Sequence, residues 1–327
     1  MDLGIFIFQT LIKILLVLLI FSALAGFTTY IERKVLAFMQ RRLGPMYVGP
    51  FGLLQILADG IKLFTKEDII PTNAIKPIFK VAPVILPVSA FVAFTGVPIL
   101  PDIQIGDTTF QFLIVDSDVG VLFVLGVMAV GMFSPLLAGI ASSNKWSLLG
   151  GARTAIQLLS FEVVTGLSIL APLMLVGSLN LIDINNYQIE HGWLIWQQPI
   201  AFVLFLIAGY AETNRTPFDL LEHEAEVVSG YATEYSGMRW GLFFIGEYVN
   251  MYIVSFLVVL IFLGGFGEGT LLDGLCYLAK VLFFIFLFLW TRAAWPHVRP
   301  DQLMWLTWKV LMPLAVINIV VTGLLVI

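Results

Sequence analysis

Six carboxylates lie close together in one short stretch of an otherwise apolar chain. The stretch 211–240 reads AETNRTPFDLLEHEAEVVSGYATEYSGMRW, and only Arg215 and Arg239 are nearby to balance its negative charge. Acids this close together titrate as a coupled set, so their protonation would depend on any charge that appears beside them. Like charges on one helical face also repel, so stability alone does not favour the arrangement. The six are Glu212, Asp219, Glu222, Glu224, Glu226 and Glu234.

Two further glutamates, Glu162 and Glu247, lie well inside apolar segments, and Glu212 closes another such segment. An ionised, unpaired carboxylate at that depth would cost several kcal/mol. Each glutamate is therefore either protonated or joined to a polar path. A carboxyl group poised between these two states can load and release protons. The alternative is a permanently protonated acid that only bonds a neighbouring helix.

The chain that carries these acids has the composition of a membrane protein. Of the 327 residues, 59% are hydrophobic and 12% are charged, whereas soluble domains carry about a quarter charged residues. The mean hydropathy is +0.97. The first apolar segment follows Asp2 rather than a basic cluster, so it predicts a retained spanning helix and not a cleavable signal.

The residue types limit the cofactor chemistry of this chain. Cys276 is the only cysteine, which excludes a cysteine-ligated iron–sulfur cluster and a disulfide within the chain. The three histidines, His191, His223 and His297, are far apart, and no glycine-rich phosphate loop follows a strand-like segment. Electrons, if they are involved, must arrive from another chain.

Hydropathy predicts an all-α fold with about eight transmembrane helices. No alternating pattern typical of a membrane β-barrel is present, and helices satisfy their own backbone groups in lipid. An even number of spans leaves both termini on one side. The spans are predicted near residues 3–30, 80–100, 119–141, 154–177, 199–213, 240–265, 271–290 and 305–326.

The basic residues predict the orientation. All but Lys13 and Lys280 of the 17 Lys and Arg lie in or beside the odd-numbered connections. The even-numbered connections 101–118, 178–198 and 266–270 contain no Lys or Arg. By the positive-inside rule, the odd connections face the cytoplasm and both termini lie outside. The acidic stretch is then on the basic face, so its carboxylates could simply pair with Arg and Lys of the first connection. The odd connections are 31–79, 142–153, 214–239 and 291–304.

The first connection contains an amphipathic segment, FGLLQILADGIKLFTK, at residues 51–66. Gln55, Asp59, Lys62 and Lys66 form one polar stripe at helical spacing, and apolar residues cover the remaining surface. The segment is too short to span the membrane and should lie in its interface. It is interpreted either as a helix that anchors the chain at the membrane surface or as one border of an opening through which a hydrophobic ligand enters. Two Gly-Pro steps before it should end the first spanning helix.

Four blocks are specific enough to indicate a family. They closely resemble the quinone-site membrane subunit of respiratory complex I. This family includes the H subunit of bacterial NADH-quinone oxidoreductase and mitochondrial NADH dehydrogenase subunit 1. The blocks cover most of the odd-numbered connections in the expected order. They read IERKVLAFMQRRLGPMYVGPFGLLQILADGIKLF (31–64), SSNKWSLLGGARTAIQLLSFE (142–162), AETNRTPFDLLEHEAEVVSGYATEYSGMRWGLFFIGEYVN (211–250) and RAAWPHVRPDQLMWLTWKVLMPL (292–314).

This resemblance implies a subunit of a proton-translocating NADH:quinone oxidoreductase in the bacterial inner membrane. The chain would be one integral membrane domain over residues 1–327, with an interfacial helix at 49–66 and an acidic cytoplasmic loop at 211–239. Its substrate would be ubiquinone or menaquinone, and it would carry no metal and no redox centre. Iron–sulfur clusters and flavin would belong to partner subunits. The partners would be hydrophilic subunits on the cytoplasmic face, small membrane subunits and antiporter-like subunits.

The resemblance also implies roles for individual residues. It assigns no catalytic residue to this chain. It implies a quinone chamber formed by Glu32, Arg33, Asp59, Lys62, Arg215 and Phe218. It implies a proton path and its coupling loop formed by Glu162, Glu212, Asp219, Glu222, Glu224, Glu226, Glu234 and Glu247.

Two other functions stay open at the level of sequence. The homologous membrane subunit of a hydrogenase or formate hydrogenlyase would need no quinone. A stand-alone secondary transporter would need no partner. Many such transporters contain inverted repeats, and no inverted repeat is recognisable in this sequence. The intact amphipathic segment favours a quinone-binding subunit. The electron donor and the quinone species are not determined by the sequence.

Overall fold

The computed structural model describes residues 3–100, 103–105, 108–110, 113–220, 228–267 and 270–326. The described elements are α1 (Leu3–Met39), α2 (Gln55–Thr65), α3 (Lys76–Phe94), β1 (Ile103–Ile105), β2 (Thr108–Phe110), α4 (Gly120–Ala141), α5 (Lys145–Val176), α6 (Leu181–His191), α7 (Leu194–Gln197), α8 (Pro199–Glu212), α9 (Gly237–Phe262), α10 (Leu271–Ala294), α11 (Pro300–Leu306) and α12 (Met312–Val326). Short 3-10 turns cover Pro50–Gly52 and Gly230–Ala232, and a π-helical segment, Thr307–Leu311, joins α11 to α12.

The predicted all-helical membrane fold is confirmed, apart from one short antiparallel hairpin in which Ile103 pairs with Phe110. Among the described residues, seven helices are long and apolar enough to cross a membrane. The remaining expected span, at 199–213, is α8, which has only 14 residues. A helix of that length rises about 21 Å, less than the roughly 30 Å of hydrocarbon.

The connection before α8 contains helix α6, whose side chains satisfy backbone groups at the end of α9. Gln188 of α6 donates to Leu260 O at 2.7 Å and accepts from Gly264 N at 2.8 Å. Asn185, also of α6, accepts from Phe266 N at 3.0 Å. The last carbonyls of a helix have no partner within it, and here α6 supplies donors to this end of the bundle.

Several predicted helix boundaries are wrong: some helices continue into polar residues, and α3 ends at Phe94 rather than near residue 100. The first helix continues past residue 30 to Met39 and ends before Arg41, which adopts the left-handed conformation (φ 53°). The Gly-Pro steps therefore turn a chain whose helix has already ended. Similarly, α5 begins at Lys145 rather than near 154, because Asn144 caps it by accepting from Trp146 N at 3.1 Å.

The amphipathic segment forms α2, which is shorter than predicted. Its helix has 11 residues and follows the 3-10 turn at Pro50–Gly52. Leu57, Ile61 and Phe64 point outward and are exposed. On the polar stripe, Gln55 donates to Asp59 at 2.9 Å. The segment thus presents an uncovered apolar face next to α1.

Helix α9 occupies the centre of the bundle. Every residue from Gly246 to Phe262 is buried, as expected for a helix that is apolar all round. In contrast, α1 exposes one side along much of its length, including Leu11, Leu15 and Leu19. The peripheral helix α1 and the central helix α9 share a long interface, and the candidate site lies at one end of it.

Candidate functional site

A buried ion-pair cluster surrounds Glu32 of α1. The residue is only 4% exposed. The Tyr248 hydroxyl donates a 2.6 Å hydrogen bond to Oε2, and Arg215 Nη1 lies 3.3 Å from the same oxygen. Arg292 Nη1 pairs with Oε1. Four segments that are distant in sequence therefore meet on one carboxylate.

Each partner of Glu32 is held in place by the secondary-structure element that carries it. Tyr248 lies on α9 and Arg292 in the last turn of α10, where a cation also complements the helix dipole. Arg215 lies in the turn after α8. There, Asn214 adopts a left-handed conformation (φ 52°), and Arg215 N donates to Tyr210 O at 3.2 Å.

A second buried carboxylate, Glu247, balances the charge of the cluster. It accepts a 3.2 Å hydrogen bond from the Tyr231 hydroxyl, and its charge also acts on Arg215. The guanidinium of Arg215 lies 4.2 Å from the centroid of the Tyr248 ring. Burial works to lower the pKa of Arg215, but Tyr248, Glu32 and Glu247 outweigh burial and raise it. Arg215 therefore stays charged between two carboxylates.

A pair of hydroxyls extends the polar contacts one turn further along the same two helices. Thr28 Oγ1 and Tyr252 Oη lie 2.7 Å apart, and both residues are buried. Thr28 and Glu32 are four residues apart on α1, as Tyr248 and Tyr252 are on α9. This spacing puts each pair on one helix face.

Gln157 joins α5 to the turn that contains Arg215. Its Nε2 donates to Ala211 O at 2.6 Å and to Asn214 Oδ1 at 3.2 Å. In the part of the chain that the structure describes, Gln157 Oε1 and Asn250 Oδ1 are buried without a hydrogen-bond partner. The two hydrogen bonds from Gln157 thus tie α5 to the turn that positions Arg215.

Glu162 and Glu212 lie apart from the cluster and close to each other. Glu212 ends α8 and is half-buried, and the charge of Glu162 acts electrostatically on its carboxylate. Glu162 lies on α5 and is exposed on the outer surface of the chain, next to the exposed residues Leu159 and Val163. The sequence indicates that Glu162 is in an apolar segment but not that it faces outward.

Three residues of the implied quinone chamber lie on the outer side of the α1–α2 region. Arg33 Nη1 forms an ion pair of 2.7 Å with Asp59 Oδ2, and both side chains are partly exposed. Lys62 of α2 is exposed. Adjacent residues on α1 thus point in different directions, Glu32 into the bundle and Arg33 toward α2.

The remaining implied residues are distributed around the connection before α9. Phe218 is buried against Phe161, with ring centroids 5.3 Å apart. Asp219 is half-buried. Glu234 accepts a 2.6 Å hydrogen bond from Asn144, the residue that caps α5. The predicted residues Glu222, Glu224 and Glu226 lie outside the described residues.

Five side chains of this site were not singled out from the sequence. Four-residue spacing within apolar segments was an available signal for three of them, since Tyr248 and Tyr252 are four residues apart and Thr28 precedes Glu32 by four. No local signal pairs the other two with a glutamate, since their partners are fixed by tertiary structure. The five are Thr28, Tyr248, Tyr252, Tyr231 and Arg292. Within the described ranges, no group of three or more His, Cys, Asp or Glu could hold a metal ion.

Comparison with known proteins adds the family. The family model described as NADH dehydrogenase matches residues 12–323. A Nitratiruptor sp. protein, named as the H subunit of NADH-quinone oxidoreductase, is 69% identical over 322 residues, which cover 98% of each chain. Proteins of the same name from Wolinella succinogenes and Sulfurimonas denitrificans are 67% and 61% identical, covering 98% and 97% of this chain and 99% and 97% of theirs. This chain therefore belongs to the NADH dehydrogenase family, together with these relatives, as its motifs predict.

Proposed function

We propose that this chain is the membrane subunit of a proton-translocating NADH:quinone oxidoreductase. In this proposal it forms the quinone chamber and couples quinone reduction to a buried glutamate path. The observation that carries the proposal is the near full-length similarity to proteins named as the H subunit of NADH-quinone oxidoreductase. Since every relative compared above has this name, the similarity favours a quinone-reducing assembly over a hydrogenase or a stand-alone transporter.

The chamber is proposed at the Glu32 cluster. A quinone head group has two carbonyl oxygens that accept hydrogen bonds and become more negative as electrons arrive. Arg215 and Arg292 are buried or half-buried donors of fixed positive charge, and Glu32 holds both in place. Such donors stabilise developing negative charge most strongly where water is excluded. Electrons would reach the quinone from the iron–sulfur clusters and flavin of partner subunits.

The tail of the quinone would enter beside α1 and α2. The outer faces of both helices are apolar and exposed, including Leu19 and Phe27 of α1 and Phe64 of α2. An isoprenoid tail matches such a surface because burial of its apolar area is favourable. Arg33, Asp59, Lys62 and Phe218 keep, within this proposal, the chamber positions that the family resemblance implies.

Coupling is proposed to run through Arg215. A negative charge on the quinone beside Arg215 would compete with Glu247 for that cation and would favour protonation of Glu247. The proton path would then continue through Glu212 to Glu162. The acidic residues Asp219, Glu222, Glu224, Glu226 and Glu234 would transmit the change of charge between chamber and path. Since Glu162 faces outward, the path could continue into a neighbouring membrane subunit.

The basic end of the bundle is proposed to face the cytoplasm. Three odd connections contact one another there, because Arg239 pairs with Asp68 at 2.9 Å and Asn144 bonds Glu234. At the other end, Asn180 bonds Asp116 at 3.0 Å, joining two even connections. This grouping and the positive-inside rule support a multi-pass protein of the bacterial inner membrane. Hydrophilic subunits would dock on the cytoplasmic face, with both termini outside.

The test separates electron transfer from proton pumping in the assembled complex. Glu162→Gln, Glu212→Gln and Glu247→Gln should each assemble and lose at least about tenfold of quinone-coupled pumping, a barrier change of about 1.4 kcal/mol. Pumping is measured by dye quenching in inverted vesicles, and NADH:quinone reductase activity is measured in parallel. Glu190→Gln, an exposed carboxylate at the other end of the bundle, is the matched control.

Full pumping in all three variants would rule out the glutamate path. Purification of the native assembly tests the wider assignment through its partner chains. Quinone-module and antiporter-like partners are expected. A nickel–iron catalytic partner would instead indicate a hydrogenase, and a lone chain would indicate a transporter.

A further inference from the structure

The interface between α1 and α9 changes character abruptly along its length. On α1, the residues that face α9 are Glu32, Thr28 and Phe21, all buried. On α9, the facing residues are Tyr248, Tyr252 and Phe256, each four positions after the last. The contacts are polar from Glu32 to Thr28 and aromatic from Phe21 onward.

The polar part ends in a closed chain of hydrogen bonds. Thr28 Oγ1 donates to Leu24 O at 2.8 Å and also lies 2.7 Å from Tyr252 Oη. A backbone carbonyl cannot pass a proton on to a further group. The hydroxyls therefore end the polar contacts within this interface and do not relay protons beyond it.

Beyond this point four rings fill the space between four segments of the bundle. We call Phe21, Phe94, Phe256 and Tyr277 the aromatic cluster. Phe21 stacks on Phe94 with centroids 3.8 Å apart, and both rings meet Phe256 edge-on at 6.2 and 5.8 Å. Tyr277 packs against Phe256 at 5.6 Å, and its hydroxyl donates to Pro98 O at 2.8 Å.

The chemistry of this cluster excludes water and protons. A buried water molecule needs polar partners, and cavities lined by apolar groups stay dry. Phe21, Phe94 and Phe256 supply no hydrogen-bonding atom, and the Tyr277 hydroxyl is used by the backbone. A hydrated proton in this region would lose its solvation without compensation, which is a large cost.

We propose that the aromatic cluster is the proton barrier of this chain, closing the α1–α9 interface against a direct route from the Glu32 cluster to the opposite membrane face. The barrier follows from the contacts alone. Its consequence rests on the proposed function: protons that reach Glu247 would not cross the membrane along the α1–α9 interface and would move sideways, toward Glu212 and Glu162. The cluster would thus prevent quinone-linked protons from leaking back across the membrane.

The test measures passive proton leak through the intact complex in proteoliposomes, with neither NADH nor quinone present. A potassium gradient with valinomycin drives proton entry, and an internal pH dye reports it. Phe21→Ala would open a space bordered by Tyr252, whose ring centroid lies 5.8 Å from that of Phe21, so water bound to the Thr28 and Tyr252 hydroxyls could enter it. The leak should rise at least about tenfold, equivalent to a barrier lowered by about 1.4 kcal/mol. Phe21→Leu keeps most of the apolar volume and should leave the leak close to that of the unsubstituted chain.

A cavity control separates a barrier from general loosening. Phe205→Ala opens a buried cavity at α8, where Phe205 packs on Phe262 at 5.9 Å, outside the aromatic cluster. It should not raise the leak. An unchanged leak in assembled Phe21→Ala, or an equal rise in Phe205→Ala, would overturn the proposal. If Phe21→Ala does not assemble, the double variant Phe94→Leu with Phe256→Leu replaces it. This variant opens gaps between the rings but removes less side-chain volume. An unchanged leak in the double variant, or an equal rise in Phe205→Ala, would again overturn the proposal.

Because the leak is measured without turnover, the barrier and the proposed function can fail separately. Normal pumping in the glutamate variants, with a raised leak in Phe21→Ala, would remove the proton path and keep the barrier.

Discussion

Toward Met39, α1 meets α9 through Glu32, Thr28 and the hydroxyls of two tyrosines, whereas toward its N-terminus it meets α9 through Phe21. The same two helices thus form a charged contact and an aromatic contact, separated by about two turns. Buried rings contribute large apolar area at little electrostatic cost. Buried ion pairs bring a desolvation penalty that their attraction scarcely offsets.

The difference indicates where function constrains the sequence. An aromatic interface along the whole length would hold α1 at least as well, since replacement of buried ion pairs by apolar residues is often neutral or stabilising. The charged half is retained at the end of the bundle where Arg215, Arg292 and Glu247 gather. Intramembrane charge of this kind is typical of substrate and proton pathways, as the proposed function expects.

The largest expected effect comes from breaking the charged half. Arg215→Gln leaves Glu32 with one arginine, and loss of one partner of a buried pair costs about 3–5 kcal/mol. The thermal midpoint of the assembled complex should fall, and quinone reductase activity should be lost with it. Arg299→Gln is the control, because the Arg299–Asp301 pair is exposed and such pairs contribute about 0–1 kcal/mol. Equal shifts in the two variants would contradict the contrast.

The two tyrosines sharpen the comparison within the polar contacts. Tyr248→Phe removes a hydrogen bond to a buried charge, worth about 1.5–3 kcal/mol, whereas Tyr252→Phe removes a neutral one, worth about 0.5–1.5 kcal/mol. Thermal midpoints of both variants, measured in one buffer, give the ranking. If Tyr252→Phe proves the more damaging, charge is not what distinguishes the two positions.

A glycine pair on α5 tests how Glu247 is positioned. A Cβ at Gly150 would lie 2.6 Å from Tyr231 N, so Gly150→Ala must displace the turn whose tyrosine bonds Glu247. Overpacking of this kind costs about 1–3 kcal/mol, and pumping should fall together with stability. Gly166→Ala on the same helix meets nothing within 4 Å and should stabilise by up to about 1 kcal/mol. A tolerated Gly150→Ala would show that the turn can move without consequence.

The smallest effect on stability is expected at the outer surface of α1. Arg33→Gln removes a partly exposed ion pair with Asp59, so stability should change by about 0–1 kcal/mol. The difference from the unsubstituted chain should shrink further at high salt, because exposed charges are screened. Thermal midpoints at low and high salt check both points. A large, salt-independent loss would mean that Arg33 belongs energetically to the buried cluster.

Much of the fold could be predicted because hydropathy is a local property. Long apolar runs identified the spanning helices, but the helix ends were misjudged where polar residues continue the helix, as at Glu32 and Arg33 of α1. The bounds of α8 were predicted to within one residue, although it is shorter than the seven helices that are long enough to span a membrane. Helix ends depend on capping contacts, which a hydropathy profile does not contain.

The candidate site was only partly predictable, for a related reason. Glu247 could be singled out by its charge in apolar surroundings, and Glu32 and Arg215 by the family motifs, and the three do meet. Glu162 was singled out in the same way, yet it faces outward. Depth in an apolar segment shows that a charge is unusual, but the direction of a side chain depends on which neighbours pack against its helix.

The sequence by itself determined the membrane class, the concentration of basic residues at one end, the presence of acids within apolar segments and, through its motifs, the family. These properties follow from composition and from residues close together in the chain. Only the tertiary structure decided that Glu32 takes Arg215 and Arg292 as partners, which lie 183 and 260 residues away. It also decided that α1 changes from polar to aromatic contacts against α9. Side chains so far apart in sequence can be paired only when the packing of the helices sets their distance.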